Sequence, residues 1–322
     1  MTARANLGGR PQGAGELRRA GGDGVLTPPA ARQGPGRMPP ALIDALDLVV
    51  ARHAAGALPG DRRAAGIGAG TELAQLRPYE VGDDVRQIDP AATARTGEPH
   101  VRLQVPERTL TTWIVLDLSP SMAFGTADRL KADLAEGVAS VLGRLAIRRA
   151  GRVAMLTFGA GPPKLLPPRG SKPGFVALRR MLDQGVAPDG HTDPHALAHA
   201  LGRVGKVATQ PGFVAVISDF RDHDGWTRPL GALAARHSVL AVEISDPRER
   251  ELPSVGRLAL VDPETGERIE VDTSRPRIRE RFAALERERR AEVERELKRL
   301  HVEHVFLSTD RDWLLDLGRT MR

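Results

Sequence analysis

The sequence has no cysteine among its 322 residues and few aromatic side chains, with seven Phe, three Trp and one Tyr. Without cysteine the chain can form no disulfide scaffold, no Cys-ligated zinc or iron–sulfur site and no cysteine nucleophile. The low aromatic content leaves little material for the stacking platforms that bind single-stranded nucleic acids. Any metal site in this protein must therefore be built from ligands other than cysteine.

The sequence also has no apolar run long enough to cross a membrane, which needs about 20 apolar residues. The apolar runs at 113–118 and 213–217 are short, and the longer stretch 41–58 is interrupted by charged side chains. No apolar region follows Arg18 and Arg19 near the N-terminus, so no signal peptide is expected. These absences predict a cytoplasmic protein without a membrane span.

The formal net charge of +6 raises the question of an anionic partner such as nucleic acid. Residues 1–37 carry six arginines and two acidic side chains, a net +4, and are rich in Gly, Pro and Ala. That composition predicts a disordered basic tail. Nucleic-acid binding through this tail is one alternative function. The rest of the chain is nearly balanced in charge, which argues against a basic binding face on the fold.

Apolar segments and amphipathic helices alternate over residues 111–322. Continuous apolar strands between helices indicate a parallel sheet covered on both faces. The sequence therefore predicts a doubly wound, mainly parallel α/β domain. A hairpin is predicted around the turn Pro263-Glu264-Thr265-Gly266. The predicted strands of the sheet cover residues 113–118, 152–158, 213–218, 239–244 and 302–307.

Residues 38–110 form a region of different character, for which a helix and strand extension is predicted. Helical spacing of apolar residues predicts a helix over about residues 39–54, and alternation predicts a strand over 101–105. The glycine-rich run 66–70 lacks the strand and the Lys-Ser/Thr pair of a phosphate loop, so it is interpreted as a flexible turn. The rest of residues 71–110 is predicted to be irregular.

Three polar segments follow predicted strands or precede a predicted helix. They are residues 117–121 at the end of the strand 113–118, residues 190–194 before a helix, and Ser218 with Asp219 at the end of the strand 213–218. Ligands of doubly wound sheets bind at the carboxyl ends of the strands, near the point where strand order reverses. The carboxylates and hydroxyls gathered there would suit a hard divalent cation such as Mg²⁺.

Asp117, Ser119 and Ser121 fit the pattern Asp-x-Ser-x-Ser and resemble the metal-ion-dependent adhesion site of von Willebrand factor A domains. The resemblance implies that the serines bind Mg²⁺, or another divalent cation such as Mn²⁺, directly. It implies that Thr192, 75 residues after Asp117, binds the metal in one state, and that Asp117 and Asp219 act largely through water. An acidic side chain of a partner protein would fill the open position of the metal.

Each of these segments also has a simpler interpretation. Asp193 before Pro194 fits a helix N-cap, and Asp219 fits an ordinary turn residue. The three segments in the right order and at the right strand ends favour the metal site. Phe220 is one departure, because many members of the family have Gly after the second aspartate.

The upstream string RPYEVGDDVRQID at residues 77–89, followed by Ala94 and Arg95, is long and specific. It resembles the signature of the bacterial family called domain of unknown function 58, which ends in a von Willebrand A-like domain. The resemblance covers about residues 40–250. Pro90 stands where that family usually has Trp. The resemblance implies a non-enzymatic interaction protein that acts with a MoxR-type AAA+ ATPase in the assembly or activation of other proteins.

The charged residues of this string are interpreted as a salt-bridged loop, with a docking surface or a second acidic site as the functional alternative. A hydrolase using a serine of residues 117–121 is the main enzymatic alternative. The sequence lacks the Gly-x-Ser-x-Gly elbow of such hydrolases, so no enzymatic activity is expected. His191, His195 and His199 have a spacing that can bind zinc, but a solvated or helix-capping role is predicted for them.

Overall fold

The computed structural model describes residues 4–6, 18–19, 26–27, 72–105, 110–183, 185–187, 193–221 and 224–320. The chain divides into two compact units, Pro59–Thr109 and Met1–Leu58 with Leu110–Arg322. Three short strands are described near the N-terminus, β1 (Arg4–Asn6), β2 (Arg18–Arg19) and β3 (Leu26–Thr27). The other residues of the segment 1–37 lie outside the described ranges, and for them the predicted disorder stays a prediction. The predicted helix at 39–54 and the glycine-rich turn also lie outside the described residues.

The smaller unit contains two antiparallel strands, β4 (Glu72–Pro78) and β5 (His100–Val105), with helix α1 (Pro90–Thr96) between them. The predicted strand at 101–105 corresponds to β5. The prediction that the rest of residues 71–110 is irregular was wrong for β4 and α1. Pro90 occupies the first turn of α1, where its missing N–H and fixed φ favour helix initiation.

Asp89 fixes the start of α1 and joins it to β5. Its Oδ1 accepts hydrogen bonds from the backbone N–H groups of Ala91 and Ala92, and its Oδ2 pairs with Arg102 Nε at 2.7 Å. The bond from Arg102 and those backbone N–H groups lower the pKa of Asp89 to about 2. The carboxylate therefore contributes stability above its ordinary pKa of about 4 and loses that contribution as the pH falls toward 2.

We expect Asp89→Asn to increase hydrogen exchange of α1 and β5 at pH 6, because asparagine still caps the helix but loses the ion pair with Arg102. The difference from wild type should narrow as the pH falls from about 4 toward 2, because the carboxylate is protonated first in the unfolded chain and then in the folded protein. Mass-spectrometric exchange at matched pH measures this difference. An equal difference at pH 6 and pH 3 would contradict the role given to the charge.

The larger unit is organised around a six-stranded sheet. Its strands are β6 (Thr111–Asp117), β7 (Arg152–Phe158), β8 (Lys164–Gly170), β9 (Phe213–Ser218), β10 (Ser238–Ser245) and, after a hairpin described below, β13 (Glu303–Ser308). The strand order is β13–β10–β9–β6–β7–β8, and all neighbours are parallel except β7 and β8. The predicted doubly wound, mainly parallel α/β fold is confirmed.

Helices cover both faces of this sheet, which explains why its strands are apolar on both sides. Ile114 and Leu116 of β6 point to one face and pack in one core cluster, whereas Trp113 and Val115 belong to the opposite cluster. No helix of the described ranges is both long and apolar enough to cross a bilayer. The helices are α2 (Lys131–Arg148), α3 (Ser171–Leu182), α4 (Ala196–Val207), α5 (Thr227–Ala234), α6 (Pro247–Arg250), α7 (Pro276–Arg299) and α8 (Trp313–Thr320).

Two elements extend this plan. The first is β8, which the sequence analysis missed because Pro167 and Pro168 disfavour a strand; an edge position tolerates them. The second is the predicted hairpin, which is confirmed as the antiparallel strands β11 (Arg257–Val261) and β12 (Arg268–Asp272). β1 pairs with β11 and completes a three-stranded sheet.

The strand order reverses between β6 and β9. The chain leaves β6 toward β7 and β8 on one side, and β9 leads to β10 and β13 on the other. The carboxyl ends of β6 and β9 therefore form the switch point at which doubly wound folds bind ligands. Asp117 ends β6, and Asp219 directly follows β9.

Candidate metal site

The motif after β6 folds into a tight, buried turn. Asp117, Ser119 and Ser121 are all almost completely buried. Ser119 donates its backbone N–H to Asp117 Oδ1 at 2.9 Å, and a short 3-10 helix begins at Pro120. This geometry places the hydroxyl oxygens of Ser119 and Ser121 3.1 Å apart. The turn therefore gathers two hydroxyls and one carboxylate at the end of the strand.

The loop after β7 packs directly against this turn. Gly159 has a φ of +86°, and a Cβ built on it would lie 2.5 Å from the backbone N of Ser119. A side chain at this position would meet the backbone of the motif and would also be in the left-handed region that L-residues avoid. Glycine is therefore required here for the close approach of the two loops.

The end of β9 contacts the motif through a hydroxyl. Ser218 Oγ donates to Asp117 Oδ2 at 2.5 Å and accepts a hydrogen bond from the backbone N–H of Phe220 at 3.1 Å. Phe220 has a φ of +51°, in the left-handed region that glycine adopts most readily. The Phe220 ring packs edge-to-face on Trp226 with centroids 5.5 Å apart, and this contact holds it there.

Asp219 is paired with a buried lysine that the sequence analysis did not identify. Lys131 Nζ lies 2.6 Å from Asp219 Oδ2 and 2.5 Å from Glu249 Oε1, and all three side chains are buried. Burial alone would lower the pKa of Lys131, but Asp219 and Glu249 outweigh it and raise the pKa above its ordinary value. The ammonium thus neutralises part of the negative charge beside the motif.

A chain of alternating charges continues from Glu249 toward helix α7. Arg221 Nε lies 3.4 Å from Glu249 Oε1, and Arg221 Nη2 lies 2.6 Å from Glu286 Oε1. Arg289 of α7 then joins Glu286 to Glu243 of β10, at 2.9 and 3.3 Å. This chain of ion pairs connects Asp219, at the predicted site, to helix α7, which is distant in sequence.

The hairpin turn brings a further carboxylate to the motif. Glu264, only 9% exposed, accepts a hydrogen bond on Oε1 from the backbone N–H of Ser121 at 3.0 Å. Its own backbone N–H donates to Asp262 Oδ1 at 2.9 Å. Glu264 was predicted only as a turn residue. Its contact with Ser121 could not be predicted, because 143 positions separate the two residues and no spacing rule spans that distance.

The structure brings together four of the five predicted metal ligands at the switch point. Asp117, Ser119 and Ser121 share one turn, and Asp219 lies at the end of the neighbouring strand, held by Lys131. Thr192 lies outside the described residues. Of the three histidines with a zinc-like spacing, His195 and His199 are described, and both contact Asp193 at an exposed helix start.

The donor set fits a hard divalent cation. Within the described residues no group of three or more His, Asp or Glu side chains could hold a metal ion, so the hydroxyls would have to supply direct ligands. Adjacent oxygens around an octahedral Mg²⁺ lie about 3 Å apart, since the Mg–O distance is about 2.1 Å. The 3.1 Å separation of the hydroxyl oxygens of Ser119 and Ser121 matches this value.

Comparison with known proteins places the chain among its relatives. The uncharacterized protein Rv1480 from Mycobacterium tuberculosis (strain ATCC 25618 / H37Rv) is 38% identical over 280 residues, which cover 87% of each chain. The solved structure of the conserved hypothetical protein BatB from Bacteroides thetaiotaomicron is 16% identical with a TM-score of 0.40, covering 66% of this chain and 95% of that one. The SpRpn10 VWA domain is 14% identical with a TM-score of 0.31, covering 42% and 76%.

The family model described as "Protein of unknown function DUF58" matches residues 75–292, which include the signature string, the motif after β6 and the hairpin. This match covers more than half of the chain and agrees with the resemblance found in the sequence. The chain belongs to the DUF58 family.

Proposed function

We propose that this protein is a non-enzymatic interaction module that presents a divalent cation to an acidic side chain of a partner protein. The observation that carries the proposal is the pair of hydroxyls of Ser119 and Ser121, 3.1 Å apart at the switch point of the sheet. Bound there, Mg²⁺ or Mn²⁺ would supply a positive charge that a partner's carboxylate can ligate. Asp117 would orient the turn and balance the charge from behind, and Thr192 would add a ligand in one state.

The charges around the motif support a site in which hydroxyls hold the metal and a partner supplies the anionic ligand. Asp219 is engaged by the Lys131 ammonium, so its carboxylate is not fully available to neutralise a metal. A metal held mainly by neutral hydroxyls keeps more of its positive charge and therefore favours one more anionic ligand. The arrangement is thus suited to binding an acidic group from another protein.

A MoxR-type AAA+ ATPase is the partner class that we propose, on the basis of the family resemblance and the chain's membership of DUF58. Capture of such an ATPase by the full chain should depend on Mg²⁺ and should be lost in the presence of a chelator. Equal capture with and without Mg²⁺ would show that the ATPase does not bind through the metal site.

Asp117→Asn should lower the affinity for Mn²⁺ about 10–100-fold, because a residue that orients direct ligands contributes that much to metal binding. Titration of the full chain with Mn²⁺, followed by electron paramagnetic resonance of the free ion, measures the affinity. Asp312→Asn is the matched control, since Asp312 is exposed and its carboxylate accepts a hydrogen bond from the backbone N–H of Leu315 in α8. Equal affinities in wild type and Asp117→Asn would eliminate the proposed site.

A further inference from the structure

The β11–β12 hairpin holds one side chain in a fixed position against the metal motif. Asp262 donates its backbone N–H to the carbonyl of Glu267 at 2.8 Å and accepts on its own carbonyl from the backbone N–H of Gly266 at 2.8 Å. The base of the hairpin is anchored by Leu258 and Leu260 in a small core with Leu252. The turn that carries Glu264 is therefore ordered by hydrogen bonds within the turn and by packing at its base.

The carboxylate of Glu264 lies beside Ser121, one of the two serines proposed to hold the metal. Its Oε1 accepts from the backbone N–H of Ser121, the residue whose hydroxyl lies 3.1 Å from that of Ser119. This hydrogen bond places the Glu264 carboxylate next to a residue whose hydroxyl would ligate the metal. A cation at this motif would add a favourable charge interaction to the buried Glu264 carboxylate.

We propose that Glu264 is an internal ligand of the metal site and takes the coordination position that a partner's acidic side chain would otherwise fill. This inference rests on the proposed metal site. In the closed state the hairpin supplies the anionic ligand, so a partner binds only when its carboxylate displaces Glu264. The hairpin then lowers the affinity for the partner, because an incoming acidic side chain must compete with the carboxylate of Glu264.

Water-proton relaxation of the Mn²⁺ complex tests this inference with the full chain and needs no partner. In wild type Glu264 should occupy one coordination position, whereas in Glu264→Ala water should take that position. The relaxation enhancement per bound Mn²⁺ should therefore increase by about the contribution of one exchangeable water. Sodium acetate should then lower the enhancement in the variant by displacing that water and should leave wild type nearly unchanged.

Two further variants make the result specific. Glu267→Gln changes an exposed glutamate of the same turn and should behave like wild type. Glu264→Gln can keep the hydrogen bond from Ser121, and it should shift toward the behaviour of Glu264→Ala if the charge is what binds the metal. It also provides a folded comparison if the alanine variant disturbs the hairpin.

The outcomes distinguish this inference from the proposal on which it rests. If wild type and both Glu264 variants bind Mn²⁺ with equal relaxation and equal response to acetate, Glu264 is not a ligand, while the metal site itself stands. If folded wild type binds no Mn²⁺, the proposed site and the internal ligand are both overturned. A gain in relaxation and in acetate sensitivity confined to the Glu264 variants supports the internal ligand.

Discussion

Lys131→Met should lower the free energy of unfolding of the larger unit by about 3–5 kcal/mol, the cost of removing one partner from a buried ion pair. Lys131 is fully buried, and its ammonium lies within 2.6 Å of a carboxylate oxygen of Asp219 and of Glu249. Methionine has nearly the same volume, so the substitution removes the charge with little change in packing. Two buried carboxylates then face each other without the cation between them.

Urea denaturation of the full chain measures this loss. The control is Arg299→Met, which breaks a pair of the same 2.6 Å length between Arg299 and Glu296 on the surface. Exposed pairs contribute little because water screens them, so the control should leave the denaturation midpoint nearly unchanged. Similar midpoints for Lys131→Met and Arg299→Met would show that the buried triad contributes no more than a surface pair.

A triple variant tests whether charge balance explains the destabilisation. If the ammonium only balances Asp219 and Glu249, the triple variant Lys131→Met/Asp219→Asn/Glu249→Gln should recover much of the lost stability, since no uncompensated charge then remains. Recovery would identify charge balance as the reason for the destabilisation of the single variant. A triple variant as unstable as Lys131→Met would contradict this explanation.

Much of this fold could be predicted from the sequence because its signals are local. The apolar strands at 152–158 and 213–218 have the predicted bounds, since continuous hydrophobic runs depend only on neighbouring residues. The hairpin was also predicted, because its turn residues follow local rules. The motif that we propose as the metal site was recognised from Asp117, Ser119 and Ser121, three residues that lie within one short turn.

The parts that were missed depend on contacts between distant segments. Glu264 and Ser121 meet only because the hairpin folds back over the switch point, and no local pattern predicts this contact. Lys131 did leave a signal, because it lies in the apolar stripe of α2 with Leu134 and Val138, where a charged residue requires a buried partner. The identity of that partner, Asp219, needed the three-dimensional structure.

Gly159→Ala should destabilise the larger unit by about 2–5 kcal/mol, the sum of the backbone strain at positive φ and the overpacking of a tight contact. The added Cβ would lie 2.5 Å from Ser119 N, so the loop or the motif must move. Displacement of Ser119 would separate its hydroxyl from that of Ser121, which are now 3.1 Å apart. We therefore expect Mn²⁺ affinity and stability to fall together in this variant.

Gly161→Ala is the matched control, because Gly161 lies in the same loop with a φ of +74° but no atom of the described residues lies within 4 Å of its Cβ position. It should cost only the strain of about 1–2 kcal/mol and should bind Mn²⁺ like wild type. The difference between the two variants isolates the close approach of Gly159 to Ser119 from backbone strain. If both variants lose stability equally and retain Mn²⁺ binding, the loop after β7 does not support the metal motif.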